Sequence, residues 1–257
     1  HSPIRRSGRC TRTRVANASR VSMPSLSVIV FAYNESENIA TVMGELRTWL
    51  MEHEPDAEVI FIDDGSSDDT AAEAKRALEG YPATVISHER NRGIGAALKT
   101  GVRASQAEWI TFLPADGQIA PDAIATLRAA AANEGAEVVF SVYDHRDDGL
   151  HRKVLSAGVR GLILLVHGVR MQSDGPYLFK RDLFDPDKLV PDTFFLNFEF
   201  PIRMLGARVS SSVVTIECRP RRSGRSKSTG LKRIYGVARD LLDLRVRRLR
   251  ESLGRNA

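Results

Sequence analysis

The sequence predicts an α/β protein in which a mostly parallel β-sheet is flanked by helices. Short apolar runs rich in β-branched residues alternate with helical patterns along residues 26–142. Polar clusters follow three of these runs, where the carboxyl ends of the strands are expected. The chain has 257 residues, of which 42% are hydrophobic and 27% charged, so it can bury a core of ordinary globular size.

The first two strand and helix units have clear boundaries. An apolar run over 26–32 predicts a strand, and a helical pattern then opens at Asn34 and repeats apolar residues every three or four positions to Leu50. The second strand, 58–62, ends in an acidic turn and is followed by an alanine-rich helix that reaches Leu78. The remaining units are a strand over 83–87 with a helix over 95–104, a strand over 109–113 with a helix over 121–132, and a strand over 138–142.

The second half of the chain has a less regular pattern. We expect a helix over 152–167, an extended segment over 177–180, a helix over 197–205 and a long strand over 208–218. An arginine-rich amphipathic helix is expected over 230–253, with apolar positions at Ile234, Leu241, Leu244 and Leu249. The predicted organisation is therefore a folded domain over 23–228 followed by a basic amphipathic helix over 229–257.

Charge is distributed unevenly along the chain. The net charge is +5, but residues 1–20 carry +6, residues 219–257 carry +10 and residues 21–218 carry −11. Residues 1–22 contain no apolar stretch of the kind found in signal peptides, so we expect a disordered basic extension before a natural start at Met23. Two cysteines exclude a disulfide scaffold, and the absence of any apolar run of about 18 residues argues against a transmembrane protein.

Three of the predicted strands end in polar clusters that suit ligand binding. The clusters are Tyr33-Asn34-Glu35, Asp63-Asp64-Gly65-Ser66 and Asp116-Gly117-Gln118. Because the carboxyl ends of parallel strands meet at one edge of a sheet, these clusters are expected to converge. Carboxylates there can accept the imide N–H of a nucleotide base or hold a divalent cation against a diphosphate. Taken alone, the second cluster also fits a turn followed by a helix cap.

These residues carry a resemblance to a known family. The segments SVIVFAYNE (27–35), IDDGS (62–66), NRGIGAA (91–97) and ADGQ (115–118) resemble, in order and spacing, those of family 2 glycosyltransferases. The resemblance implies the A-type glycosyltransferase fold, with a Rossmann-like, mostly parallel sheet. It also implies a nucleotide-diphosphate-sugar donor, a Mg²⁺ or Mn²⁺ cofactor and inversion at the anomeric carbon.

A second match narrows the resemblance to one branch of the family. Gln118 after Asp-Gly, together with RPRRSGRSK over 219–227, is similar to the polyprenyl-phosphate branch, which includes enzymes like dolichol-phosphate mannose synthase. On this resemblance the catalytic residues are Asp116 and Arg225, and the metal is held by Asp116 and Gln118. The donor-binding residues that it implies are Ala32, Tyr33, Glu35, Asp63, Asp64, Pro114, Ala115, Asp116, Gln118, Arg225 and Lys227.

The acceptor side is predicted to be cationic. A polyprenyl phosphate is an anion at neutral pH, so it needs positive charge for positioning rather than a general base. Arg152 and Ser156 lie four residues apart on one predicted helix face, and the resemblance assigns them to the acceptor phosphate. A solvated basic helix face is the alternative. A neutral hydroxyl acceptor would instead require a carboxylate base, for which Glu199 and Asp174 are the evident candidates.

One departure from the family pattern concerns the metal site. The family usually has an acid two residues before Asp116, where this chain has Pro114. Asp116 and Gln118 can still supply two oxygens, since Mg²⁺ commonly binds through few protein ligands. A nucleotide-sugar binding protein without turnover is therefore an alternative to an enzyme, as is a glycosyltransferase with a soluble or glycan acceptor.

The predicted function is hexose transfer from a donor of the GDP-mannose or UDP-glucose type to a polyprenyl phosphate. We expect the protein to be cytoplasmic and peripheral at the inner face of the membrane, with the arginines of the C-terminal helix on anionic lipids. Nucleic acid is not an expected partner, because no binding motif or aromatic platform accompanies the basic ends. Gly93-Ile94-Gly95 lacks the third glycine of a dinucleotide fingerprint and does not follow the first strand, so the sequence argues against a nicotinamide enzyme.

Overall fold

The computed structural model describes residues 24–144, 150–220 and 231–254. The strands are β1 (Leu26–Ala32), β2 (Glu58–Asp63), β3 (Ala83–Ser87), β4 (Trp109–Pro114), β5 (Val138–Tyr143), β6 (Leu178–Lys180) and β7 (Ser211–Ile216). The helices are α1 (Ser36–His53), α2 (Thr70–Ala77), α3 (Ile94–Ala104), α4 (Asp122–Glu134), α5 (Leu150–His167), α6 (Leu196–Gly206) and α7 (Leu231–Gly254), with a 3₁₀ turn at Arg181–Leu183. The predicted extension over 1–22 and Arg225 and Lys227 lie outside the described residues.

The seven strands form one sheet in the order β3-β2-β1-β4-β6-β5-β7. All neighbouring pairs are parallel except those of β6, which runs antiparallel to both β4 and β5. This arrangement confirms the predicted mostly parallel sheet. The chain leaves β1 toward β2 on one side and returns to β4 on the other, so the strand order reverses there. In open α/β sheets, ligands bind at the carboxyl ends of the strands at such a reversal.

Helices cover both faces of the sheet. Along β1, Val28 and Val30 belong to an apolar cluster that includes buried residues of α1 and α4, whereas Ile29 on the opposite face packs against α3. Alternation of this kind is what a strand buried on both faces requires. The approach of α3 is close, because a Cβ atom at Gly101 would lie 2.6 Å from Ile29 Cγ2.

A third apolar cluster joins α5, α6 and α7. Ile163, Ile202, Leu241 and Leu244 are buried in it. His167 at the end of α5 donates from Nε2 to the Leu241 carbonyl oxygen at 3.1 Å. Burial, with the nearby charges of Arg248 and Arg245, lowers the pKa of His167 below its usual value, so the ring is neutral at pH 7.

Charged pairs fix α7 on α6. Glu199 on α6 is fully buried, and it accepts hydrogen bonds from Arg203 Nε at 2.9 Å and from both terminal nitrogens of Arg247 at 3.0 and 2.9 Å. Arg203 in turn forms a two-bond pair with Glu251 near the end of α7. Fork-shaped pairs of this kind define orientation as well as charge balance.

The structure adjusts several predicted boundaries. The strand expected over 208–218 covers only Ser211–Ile216, and Arg208 before it has a positive φ of 58°. The first helix begins at Ser36 rather than Asn34, because Asn34 also adopts a positive φ, 53°, in the preceding turn. Within the described part of the chain, no helix has the length and apolar character needed to span a bilayer.

Candidate functional site

The loops after β1 and β2 are joined at the carboxyl edge of the sheet. The Asn34 N–H donates to Ser66 Oγ at 2.9 Å, and the Ser67 N–H donates to Asn34 Oδ1 at 2.8 Å. Asparagine tolerates the left-handed conformation at this position because its short side chain bonds locally. The structure therefore brings the first two predicted clusters together through reciprocal contacts.

The start of α1 is tied to the loop before α2. The Glu35 N–H donates to Thr70 Oγ1 at 2.9 Å, and the Ser36 N–H donates to Asp68 Oδ2 at 3.2 Å. Partial burial raises the pKa of Asp68, but hydrogen bonds from Thr70 and Ser36 outweigh it and lower that pKa below its usual value. The Glu35 carboxylate accepts from Asn38 Nδ2 at 2.7 Å within its own helix turn. Tyr33, two residues before Glu35, is more than one third exposed.

Asp64, directly after β2, connects the loop after β2 to the segment that follows β3. Its Oδ1 accepts the Arg92 N–H at 2.9 Å, and its Oδ2 accepts the Gly93 N–H at 2.8 Å. His88 Nδ1 lies 2.7 Å from Oδ1, and because an ionised carboxylate can only accept, that nitrogen carries the proton. His88 Nε2 lies 2.9 Å from Thr100 Oγ1. Asp64 is buried, and among the described residues its Oδ2 accepts only from Gly93, which leaves one acceptor position on that oxygen.

Two glycines explain how closely these loops approach. Gly65 has φ +75°, and a Cβ atom there would overlap the main chain of Arg90. Gly93 has φ +93°, and a Cβ atom there would lie 2.8 Å from the Asp192 carbonyl oxygen. Asp63, beside Asp64, is also buried, and its Oδ1 accepts the Ser66 N–H at 3.1 Å. Glycine is needed at both sites because other residues rarely adopt these angles and would not fit.

A segment before α6 closes over the start of α3. The Ala96 N–H donates to the Asp192 carbonyl oxygen at 3.0 Å. The buried Lys99 ammonium donates to Asp192 Oδ1 at 2.9 Å and to the Val190 carbonyl oxygen at 3.0 Å. Sequence reasoning missed this contact and the role of His88. Only the position of His88 directly after β3, at the same edge as Asp64, pointed to it.

The loop after β4 supplies the third cluster. Asp116 is buried, and its Oδ1 accepts the Gln118 N–H at 3.1 Å across Gly117, which has φ +72°. The Ala115 N–H donates to the Phe31 carbonyl oxygen at 3.2 Å, which links this loop to β1. The Gln118 carbonyl oxygen accepts the Arg219 N–H at 2.8 Å. Arg219, the first residue of the predicted basic segment 219–227, therefore lies beside Gln118.

The donor set at this loop suits a magnesium or manganese ion bound largely through a diphosphate. Pro114, the last residue of β4, offers no side-chain ligand, so Asp116 is the one carboxylate of the loop. Gln118 adds an amide, whose nitrogen lies 3.9 Å from Cys218 Sγ. Among residues 24–144, 150–220 and 231–254, no three His, Cys, Asp or Glu side chains form a metal cage. One carboxylate and one amide fit an ion whose remaining ligands are phosphate oxygens and water.

The predicted acceptor residues lie on α5. Arg152 and Ser156 are one turn apart in this helix, as expected, and Ser156 is half-buried. Asp174 forms an ion pair with Arg160, two turns beyond Arg152 on the same helix. Glu199 is fully buried in its pairs with arginines of α6 and α7. Both acids that the sequence singled out as candidate bases are therefore held in ion pairs.

Comparison with known proteins identifies relatives of this chain. The family model described as Glycosyl transferase family 2 matches residues 27–196. The chain is 33% identical over 164 residues to the undecaprenyl-phosphate 4-deoxy-4-formamido-L-arabinose transferase of Salmonella choleraesuis, and 31% identical to that of Klebsiella pneumoniae subsp. pneumoniae. Each match covers 62% of this chain and 50% of the relative. The chain thus spans about half the length of the curated relatives it matches.

Solved structures with the same fold include glucosyl-3-phosphoglycerate synthase from Mycobacterium tuberculosis. Its complex with phosphoglyceric acid has a TM-score of 0.65 and 23% identity, covering 88% of this chain and 80% of that chain. A complex with Mn²⁺, uridine diphosphate and phosphoglyceric acid has a TM-score of 0.64 and 23% identity, covering 86% and 77%. A complex with Mg²⁺ and uridine diphosphate has a TM-score of 0.64 and 22% identity, covering 86% and 78%. These likenesses confirm the predicted A-type glycosyltransferase fold.

Proposed function

Because the chain belongs to glycosyl transferase family 2, we propose that it transfers a hexose from a nucleotide-diphosphate sugar to a polyprenyl phosphate, with inversion at the anomeric carbon. The family match over residues 27–196 carries the assignment of sugar transfer. The acceptor assignment is supported by the two curated relatives, whose names specify undecaprenyl phosphate. A soluble acceptor and donor binding without turnover are the competing functions.

The chemistry of the candidate bases supports a phosphate acceptor. Transfer to a neutral hydroxyl requires a group that removes its proton, whereas an ionised phosphate oxygen attacks without one. Glu199 has no exposed surface and accepts three hydrogen bonds from Arg203 and Arg247, so it cannot reach a substrate. Asp174 is paired with Arg160. An acceptor that needs no base agrees with both observations.

The nucleotide is proposed to be a uridine diphosphate. Asp64 has one acceptor position left on Oδ2 after its bonds to the Arg92 and Gly93 amides and to His88. Uracil presents one imide N–H to such a position, whereas guanine presents two adjacent N–H groups that call for a carboxylate with both oxygens available. The structural neighbours crystallised with uridine diphosphate agree with this choice.

In the proposed reaction the chain positions two anions. The base lies between the loops that carry Tyr33, Glu35 and Asp64, and the diphosphate follows Pro114 and Ala115. Asp116 and Gln118 are the residues that would hold a divalent metal, which when bound supplies positive charge against the leaving diphosphate.

The transfer itself moves no proton to the protein. A phosphate oxygen of the acceptor attacks the anomeric carbon from the face opposite the diphosphate, one C–O bond forms as the other breaks, and configuration inverts. Arg152 and Ser156 orient the acceptor phosphate, while Arg225 and Lys227 offset charge on the departing diphosphate. We further propose a cytoplasmic protein that binds peripherally at the inner membrane face, where such an acceptor lipid resides.

Donor binding measured by calorimetry tests the nucleotide. We expect UDP-glucose to bind at least about tenfold more tightly than GDP-mannose, and Mg²⁺ or Mn²⁺ to strengthen binding. Asp64→Asn should weaken UDP-glucose binding, because an amide cannot accept from both loop amides and the base at once. Asp69→Asn, at an exposed acid of the same loop, is the matched control. Tighter binding of GDP-mannose would overturn the uridine assignment.

Acceptor kinetics test Arg152. Arg152→Ala should raise the KM for a short polyprenyl phosphate by about tenfold and leave the KM for the donor unchanged, because one charged contact to phosphate is lost. Lys153→Ala is the control, since the neighbouring residue lies about 100° away around the helix. An unchanged acceptor KM would remove Arg152 from the site. Transfer only to a soluble acceptor, with none to the polyprenyl phosphate, would refute the proposed acceptor class.

A further inference from the structure

An apolar stripe runs along the outer face of α7. Leu242, Val246, Leu249 and Leu253 are 57%, 46%, 49% and 72% exposed. Their spacing of four, three and four residues places all four within about 60° of one another around the helix. The buried residues Leu241 and Leu244 lie on the inner face, so the stripe is a second apolar surface on the same helix.

Exposed arginines flank the stripe on both sides. Arg239 and Arg250 lie on one side and Arg245 on the other, each within about 70° of its centre. Arg239 also contacts Asp240 at 3.4 Å. The acids Asp240 and Asp243 lie farther round the helix, at about 90° or more from the centre. The outer face is thus an apolar strip bordered by positive charge.

The stripe cannot turn inward. Two bonds from Arg247 to Glu199 and two from Arg203 to Glu251 fix the rotation of α7 about its axis. Gly206 at the end of α6 packs against Arg248, where any Cβ atom would overlap the guanidinium. These contacts hold the outer face in one orientation.

We propose that this face of α7 docks the protein on an anionic lipid surface, with the helix lying in the plane of the interface. An apolar stripe bordered by arginines is the pattern of interfacial helices, in which the side chains enter the acyl boundary and the charges meet lipid phosphates. The proposal rests on the proposed function in one respect, because a polyprenyl phosphate acceptor is reached at such a surface.

A second copy of the chain fits this face less well. A stable coiled coil needs apolar positions over three or four heptads, and the exposed stripe covers fewer than two. Parallel or antiparallel pairing would also bring Arg245 and Arg250 of two copies close together. An anionic membrane instead offsets the same charges.

Vesicle sedimentation of the full chain tests the surface. The probe is phosphatidylcholine vesicles containing about one third phosphatidylglycerol, compared with phosphatidylcholine alone. We expect binding to the anionic vesicles and a loss of about a hundredfold in the Leu242→Ser/Leu249→Ser double variant, since each buried leucine contributes about tenfold to partitioning. Arg245→Gln/Arg250→Gln should reduce the difference between the two vesicle types. Met51→Ser, an equally exposed apolar residue on α1 across the sheet, is the control and should bind like the original chain.

Sugar transfer to a water-soluble acceptor is measured as well, because it tests the proposed function independently of the docking surface. The leucine variant should transfer sugar to a water-soluble, short-chain polyprenyl phosphate at the original rate and keep its circular dichroism spectrum. Vesicle binding that depends on the stripe, without sugar transfer to the polyprenyl phosphate, would refute the acceptor class and support the docking surface. Equal vesicle binding by the leucine variant, or a dimer in solution that the variant abolishes while vesicles are not bound, would overturn the docking surface.

Discussion

Replacing Asp116 with alanine is expected to lower the rate of sugar transfer by about a thousandfold, or ~4 kcal/mol, because the loop then has no carboxylate to hold a divalent metal against the diphosphate. The family usually has a second acid two positions earlier, but this chain has Pro114 there, so Asp116 is the one carboxylate that this loop offers. The measurement is single-turnover transfer with saturating donor and metal. The thermal midpoint is recorded in parallel.

Two further variants define what this result means. Asp116→Asn preserves an acceptor for the Gln118 N–H at 3.1 Å and removes only the charge, so it should be nearly as inactive as alanine while folding normally. Asp187→Ala removes an exposed surface acid that pairs with Arg103 and should retain full activity. Full activity of Asp116→Asn with unchanged metal dependence would refute the metal assignment. If the original chain binds the donor but transfers no sugar, then the non-catalytic alternative is the correct one.

Glu199→Gln is expected to reduce the free energy of unfolding by about 3 kcal/mol, because a neutral amide leaves two guanidinium groups without their buried counter-charge. Arg203 and Arg247 are 15% and 25% exposed, so water offsets part of the loss. Urea unfolding at pH 7, followed by circular dichroism, measures the change. Transfer activity of the folded protein should be unchanged, since Glu199 does not contact a substrate.

Glu251→Gln is the matched control for this network. Glu251 pairs with the same Arg203 but is 41% exposed, so its loss should cost less than about 1 kcal/mol. The combination of the two readouts distinguishes structure from chemistry. If Glu199→Gln unfolds like the original chain but has lost turnover, then Glu199 is a general base and a hydroxyl acceptor becomes the better assignment.

The sequence predicts the early strand and helix units well because their signals are local. Each combines a β-branched run with a polar turn and a helix of period 3.6, and these patterns do not depend on distant residues. The position of β6 could not be predicted in the same way. Only three residues long, it enters the sheet between β4 and β5, and its pairs Trp109 with Lys180 and Val138 with Phe179 join segments far apart in the chain.

The residues of the site also differ in whether local sequence signals predict their positions. Asn34, Asp64 and Asp116 follow strands directly, so a parallel sheet is enough to expect them at one edge. The packing of Asp192 on Gly93 and its pair with Lys99 arise where the chain returns about ninety residues later. No periodic pattern marks such a return. The paired state of Glu199 likewise depends on α7, because Arg247 completes it from 48 positions away.

The strand order also has a consequence for biosynthesis. β5 pairs only with β6 and β7 among the described strands, and both of these emerge from the ribosome after it. Until residues 211–216 have been translated, the nascent chain carries an apolar strand with an open edge, which is a template for association with other chains. A premature stop between β5 and β7 would therefore yield an aggregating fragment rather than a smaller folded protein, and co-translational chaperone binding is expected over this interval.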